Sequence, residues 1–382
     1  MTKTQTTREI LADLVGFDTT SARSNLALIE HVRAYLAGHG VTAEIFPSTD
    51  GTKASLWATI GPAGPGGIIL SGHTDCVPVE GQAWSSDPFT LTERDGRLYG
   101  RGACDMKGFD AAALAIVPEL VAAKLQRPVH IALSYDEEVG CTGVREMIAI
   151  LQERGEAPAA CLVGEPTSMK VVVGHKGGRG YRCRVTGQEA HSSLAPRAVN
   201  AIEYAAELIV FLRNLAGELA IGPRDEEFDV VHTTISTGLI SGGTAVNIVP
   251  NACSFTFEYR NLIEVDPETI IARIRDFAET KLLPEMRDRA PQADITFEQI
   301  YDYPALAIDP SHPLVTQLKN VVGHNGHSKV AYGTEAGLFQ RDLGVPTVVC
   351  GPGSIDMAHK PDEYVSIEQL DCCDAALRKL LL

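Results

Sequence analysis

Four stretches of this sequence end an apolar run with residues that can hold a cation or move a proton. His73 and Asp75 follow Ile68, Ile69 and Leu70; Asp136, Glu137 and Glu138 follow IALSY; Glu165 follows Cys161, Leu162 and Val163; His359 lies a short loop beyond TVVCG. A fifth contributor, Asp105, sits in the glycine-flanked GRGACDMKG, where tight turns can aim a carboxylate inward. Ligands of open α/β sheets gather at the carboxyl ends of the strands, so these segments are expected to converge on one crevice. Taken singly, each acid is as easily a helix cap and each histidine a packed ring. Glu137 and Glu138 resist that reading, because adjacent carboxylates repel unless a cation or a raised pKa relieves them.

Two imidazoles and three carboxylates, His73, His359, Asp105, Glu138 and Glu165, suit two divalent ions, zinc first, with cobalt and manganese compatible. One carboxylate shared by both ions would hold them roughly 3.5 to 4 Å apart. Such a pair brings the pKa of a water to about 7, and a carboxylate outside the coordination sphere can take the remaining proton. Glu137 is the candidate base.

The elements that must position these residues alternate in type. Amphipathic helices are expected from Thr7, with Ile10, Leu11, Leu14 and Val15 on one face, and around Ile29, Val32 and Leu36. Short β runs follow (VTAEIF, ASLWATI, GIIL), then helices over 109–124 and 143–154 alternating with the buried strands PVHIALSY and AACLVG. This is an α/β layer pattern. Near Gly177 the style changes to RGYRCRVTG, a helix over Ala198–Leu215, the strands VHTTISTGLI and ACSFTFEYR, a helix over Pro267–Lys281, and ADITFEQI. That βαββαβ order is ferredoxin-like. The expected organisation is therefore a domain of 1–176 and 303–382, with 177–302 inserted into it.

Composition narrows the function classes. A formal charge of −16 argues against a nucleic-acid partner, which requires clustered Lys and Arg. No apolar run reaches the roughly 18 to 20 residues of a membrane span, and the start lacks a basic segment with an apolar core, so a cytoplasmic protein is expected. Nine scattered cysteines without a C-x-x-C pair read as reduced, with Cys76, Cys104 and Cys141 filling space behind the site. GPAGPGG and HKGGRG lack the spacing of phosphate or dinucleotide loops and are expected to be turns.

GHTDCVPV, GRGACDMKG, DEEVGCTG, GEPT and AHKPDEYV together resemble the motifs of the co-catalytic zinc amidohydrolases, in family order and over nearly the whole chain. That family includes aminoacylases, glutamate carboxypeptidases, desuccinylases and acetylornithine deacetylases. The resemblance implies a zinc-peptidase-like catalytic domain, a mixed sheet between helices, plus an inserted ferredoxin-like α+β dimerisation and lid domain. It implies that His73, Asp105 and Glu165 hold one ion and Asp105, Glu138 and His359 the other, with Glu137 as base. Asp75 would orient a ligand imidazole, and the Asp105–Met106 peptide would be cis.

GQEAHSSLAP resembles the segment whose histidine enters the active site of a partner subunit, so His191 would donate to the oxyanion and the protein would be a homodimer. Asn247 in NIVP and Arg260 in EYR resemble substrate-binding positions, although Glu258 stands where the family often has Asp. GTEAGLF, GPGS and AHKPDEYV point to the deacetylase branch, acting on a small N-acyl amino acid. There Glu335 would meet a substrate ammonium or else serve as a first-turn acid after Thr334. A desuccinylase would need a further cation, for which Arg179 is the candidate. A metal-binding protein without catalysis is the reading from another class; retention of Glu137 speaks against it.

Overall fold

The structure is a computed structural model that describes residues 5–382. Its described residues divide into two compact units, one of 5–174, 306–329 and 334–382, the other of 175–305 and 330–333.

The first unit is built on a mixed sheet in the strand order Ala43–Pro47, Ala54–Ile60, Val129–Ser134, Ile68–His73, Ala160–Pro166, Thr347–Gly351, Val172–His175, Leu306–Ala307. Its middle four strands run parallel, and antiparallel neighbours flank them on both sides. His73 lies opposite Ser134 in the register, so both strands deliver their following residues to one edge. The strands are buried along nearly their whole length, as expected of a parallel core covered on both faces. Helix Thr7–Val15 opens with a capping box between Thr6 and Glu9 and buries Ile10, Leu11, Leu14 and Val15.

Helix Lys107–Ala115 packs against the His73 and Glu165 strands, and two glycines allow the approach. A Cβ on Gly72 would lie 2.0 Å from Asp110 Oδ1, and one on Gly164 would lie 1.9 Å from the Phe109 ring. Each precedes a candidate ligand, so any side chain there would push a ligand-bearing strand end away. The expected helix over 109–124 is two, Lys107–Ala115 and Val117–Ala122, because Pro118 can only occupy a first turn. The Asp105–Met106 peptide is cis. A small sheet of Thr92–Arg94, Arg97–Tyr99 and Tyr364–Ser366, which the sequence reading did not foresee, anchors the segment after His359.

The second unit carries an antiparallel sheet in the order Thr234–Gly242, Ala252–Asn261, Gly177–Thr186, Asp294–Tyr303, with helix Ala201–Ile221 and a helical run from Pro267. Alternation along Ala252–Asn261 turns Cys253, Phe255, Phe257 and Tyr259 into the core. The run from Pro267 passes through a π turn at Ala278–Leu282 and continues to Arg289, beyond the expected Lys281. Pro284, which has no N–H to give the preceding turn, comes just after that π turn.

Candidate metal centre

The ends of the parallel strands bring His73, Asp105, Glu137, Glu138, Glu165 and His359 together. His73 Nε2 lies 3.1 Å from Asp105 Oδ1, and His359 Nε2 lies 3.2 Å from Asp105 Oδ2. One carboxylate thus faces two imidazoles, one oxygen each. Glu138 Oε2 stands 3.0 Å from His359 Nε2. Donor atoms of His73, Asp105 and Glu138 lie mutually within 4.8 Å, as do those of His73, Glu137 and Glu165.

The donors fit divalent cations on a further observation: Glu165 is buried, and its Oε1 has no hydrogen-bond partner among the described residues. Burial, then the charges of Asp105 and Glu137, pushes the Glu165 carboxyl well above its usual range. Burial likewise lifts Glu137 to about 8 and, with Asp105 beside it, Glu138 to about 7. Burial opposes ionisation of Asp105 too, yet His359 and His73 outweigh it and hold the carboxyl low. Asp105 and Glu138 in turn raise His359 to about 10. Without a cation the cluster stores protons; bound cations would supply that positive charge instead.

These shifts set a pH dependence for the metal-free protein. Glu137 and Glu138 keep protons that an unfolded chain gives up near 4.5, so their stabilisation is complete below that pH and is lost as pH rises through about 7 and 8. His359 contributes with the same sign, up to about 10. A bound cation removes the need for those protons. The difference in Tm between metal-loaded and chelator-treated protein should therefore widen from about pH 5 to about pH 8. A constant difference in thermal scans would refute this account of the cluster.

Asp75 lies beside the His73 ring and also reaches the loop of the paired glutamates. His73 Nδ1 lies 3.0 Å from the Asp75 backbone carbonyl and 3.5 Å from its carboxylate, so the shorter contact is to the main chain. The carboxylate also accepts from Ser21 Oγ at 2.7 Å and from the amides of Glu137 at 3.1 Å and Glu138 at 3.3 Å. Asp75 therefore ties the His73 turn to the paired glutamates. Asp136, at φ 56, is held by Lys53 Nζ at 2.6 Å, which fixes the same loop from its other side. Cys141 directs its Sγ to Glu137 Oε1 at 3.4 Å, and Cys76 and Cys104 are buried, as packed thiols.

Three of the candidate residues already have partners within the chain. Glu335 is fully buried, with Ser71 Oγ donating to Oε1 at 2.5 Å and Ser134 Oγ to Oε2 at 2.7 Å. Both oxygens are engaged beneath the sheet end, so the side chain has no face for a substrate ammonium; Thr334 Oγ1 takes the capping amide of Ala336. Arg260 already forks onto Glu258, at 3.2 and 3.1 Å, and also donates to the Tyr303 hydroxyl. A substrate carboxylate would have to compete for it. Arg179 is paired with Glu268 at 2.6 Å and is not a spare cation.

In the second unit, His191 is exposed and begins the short turn Ser192–Arg197. Its Nδ1 accepts from the amide of Ser193, and the amide of Ser192 donates to the carbonyl of Asn247 at 3.0 Å. The two candidate positions therefore share one loop pair. Sequence reasoning missed Gln82, Arg101 and Glu363, which surround the Asp105 turn; the sole signal was the acid at the end of AHKPDE.

Donors arranged to make a water nucleophilic beside a carbonyl, at the carboxyl edge of a mixed sheet, define a metal-dependent hydrolase of amide bonds. The chain belongs to peptidase family M20/M25/M40, whose profile matches residues 69–382. It is 36% identical over 363 residues to an acetylornithine deacetylase of Pasteurella multocida, covering 94% of this chain and 91% of that one. An acetylornithine deacetylase of Myxococcus xanthus is 37% identical over 378 residues, covering 97% and 96%. In fold the chain is similar to an M20 family metallo-carboxypeptidase from Sulfolobus solfataricus, with a TM-score of 0.76 at 19% identity over 99% and 98% of the chains. It is also similar to a dinuclear metal-binding peptidase from Bacillus subtilis, with a TM-score of 0.65 at 16% identity over 98% and 96%.

Proposed function

We propose that this hydrolase deacetylates N2-acetyl-L-ornithine, releasing L-ornithine and acetate as a step of arginine biosynthesis in the cytoplasm. The observation that carries the reading is the similarity to acetylornithine deacetylases across nearly the full length of both chains, with the metal cluster assembled. His73, Asp105 and Glu165 would hold one divalent ion, and Asp105, Glu138 and His359 the other. Zinc suits these donors best, and cobalt or manganese would be accepted. Bound there, two such ions polarise an amide carbonyl and acidify a water. Glu137 removes the water's proton and returns it to the departing amine nitrogen. Asp75 and Lys53 keep the Glu137 loop in place while the proton moves.

His191 completes the site from the neighbouring copy of a homodimer. Its Nδ1 accepts from a backbone amide, so the neutral ring carries its proton on Nε2, a donor suited to an oxyanion. The edge strand Thr234–Gly242 supports pairing between copies, because Leu239 and Ile240 are 70% and 57% exposed on an open sheet edge. Among the described residues, no helix is long and apolar enough to cross a membrane.

A panel of N-acyl amino acids assayed with zinc, cobalt and manganese tests the substrate. Acetylornithine should give the highest kcat/KM, with little turnover of succinyl-diaminopimelate. Activity confined to the succinyl substrate would overturn the choice. The engagement of Arg179 with Glu268 favours the acetyl substrate, since a succinyl group adds a carboxylate that needs its own cation.

A further inference from the structure

Among the described residues, Arg101 and Glu363 form a fully buried ion pair whose charges reach neither water nor the proposed reaction. Arg101 Nη1 donates to Glu363 Oε2 at 2.6 Å. The other oxygen, Glu363 Oε1, accepts from the backbone amides of Cys104 at 2.9 Å and Asp105 at 3.1 Å. Arg101 Nη2 donates to Gln82 Oε1, and Gln82 Nε2 donates to the carbonyl of His359 at 3.0 Å. The chain of contacts thus begins at the main chain of one candidate ligand and ends at the main chain of another. His359 needs such a hold, because its φ of 63° is a left-handed conformation that a non-glycine residue keeps only when its surroundings impose it.

We propose that Gln82, Arg101 and Glu363 are positioning residues that preset the ion site made by Asp105, Glu138 and His359. The inference rests on the two-ion reading above and deepens it. Glu363 fixes the turn that aims the Asp105 carboxylate, and Gln82 fixes the turn that aims the His359 ring. Arg101 makes the two settings interdependent, since one guanidinium donates to both partners. The three residues fall in separate sequence segments, and strand pairing of Tyr364 with Tyr99 brings two of those segments side by side. Partners that orient ligands from behind typically contribute about 10- to 100-fold in metal affinity.

The two ends of the network make distinguishable predictions. Gln82 holds the His359 main chain directly and reaches Glu363 only through Arg101, so Gln82→Ala should weaken the ion site that includes His359 more than the other. Glu363 holds the amide of Asp105, which faces both histidines, so the isosteric Glu363→Gln should weaken both. Isothermal titration of chelator-stripped full-length protein with Co2+ alone reads the two events, and thermal scans without metal check folding. Gln82 is only half-buried, so its truncation keeps the fold. We expect a loss of about 10- to 100-fold in one of the two affinities of Gln82→Ala and a smaller loss in the other, at unchanged Tm, with turnover recovered by excess Co2+. Two affinities like those of the wild type, or an equal loss in both, would overturn the positioning role. A wild-type chain that takes up fewer than two ions would instead overturn the two-ion reading, and this inference with it.

Discussion

Glu137→Ala should lower kcat by about 10²- to 10⁴-fold, the contribution of a lost general acid–base group, while the protein still takes up two ions per chain. Both halves of that result are needed. Glu137 lies close enough to His73 and Glu165 that donor distance alone would allow it to be a ligand. Its other contacts favour the base. The His359 ring engages Asp105 and Glu138, whereas among the described residues the Glu137 side chain takes a weak hydrogen bond from the Cys141 thiol. A carboxylate held so loosely by donors keeps its oxygens available to a water. Its backbone amide, bonded to Asp75, survives truncation of the side chain, so the loop carrying Glu138 should stay in place. Metal content by atomic spectroscopy together with kcat settles the assignment. Loss of an ion from the variant would make Glu137 a ligand, and near-normal turnover would remove it from the chemistry.

The candidate ligands were legible in the sequence because they obey a rule of position. A parallel strand buried on both faces reads as a largely apolar run, and the polar residues at or just beyond its end emerge at the sheet's carboxyl edge. His73, Glu137, Glu138 and Glu165 are all of this kind, and the strand order places their strands side by side. The inserted unit was legible for a related reason: alternation in ACSFTFEYR marks a half-covered strand, a pattern distinct from the solid runs around it.

Roles that depend on partners distant in sequence were not legible. Glu335 follows Thr334 at the start of a helix, which locally suggests a first-turn acid; its actual partners, Ser71 and Ser134, come from strands more than 200 residues away. Ser71 and Ser134 face Glu335 only because the His73 strand pairs with its neighbour in the observed register. Glu363 and Gln82 have no periodicity to betray them, since a loop residue acquires meaning only from what folds against it. Arg260 illustrates the opposite case, a partner near in sequence. A strand places residues two apart on one face, so Glu258 was always positioned to take the guanidinium.

His191→Ala should cut kcat by about 10²- to 10³-fold without changing metal content, the effect of removing one oxyanion donor. The side chain is exposed, so its truncation opens no cavity and leaves Tm unchanged. What makes the prediction specific is the expected origin of the ring in a second subunit. If the ring crosses the dimer, a Glu137→Ala chain and a His191→Ala chain together rebuild one intact site: the first lends its histidine to the second, which still has its base. Random mixing makes half of the dimers mixed, and each restores one site of two, so activity should return to about a quarter of the wild-type value. If the ring serves its own chain, both sites in a mixed dimer lack one group and activity stays at the level of the single variants. Subunits unfolded together and refolded as a mixture, followed by kcat per chain, separate the two arrangements. A mixture that remains inactive while light scattering shows dimers would place His191 outside the neighbouring site.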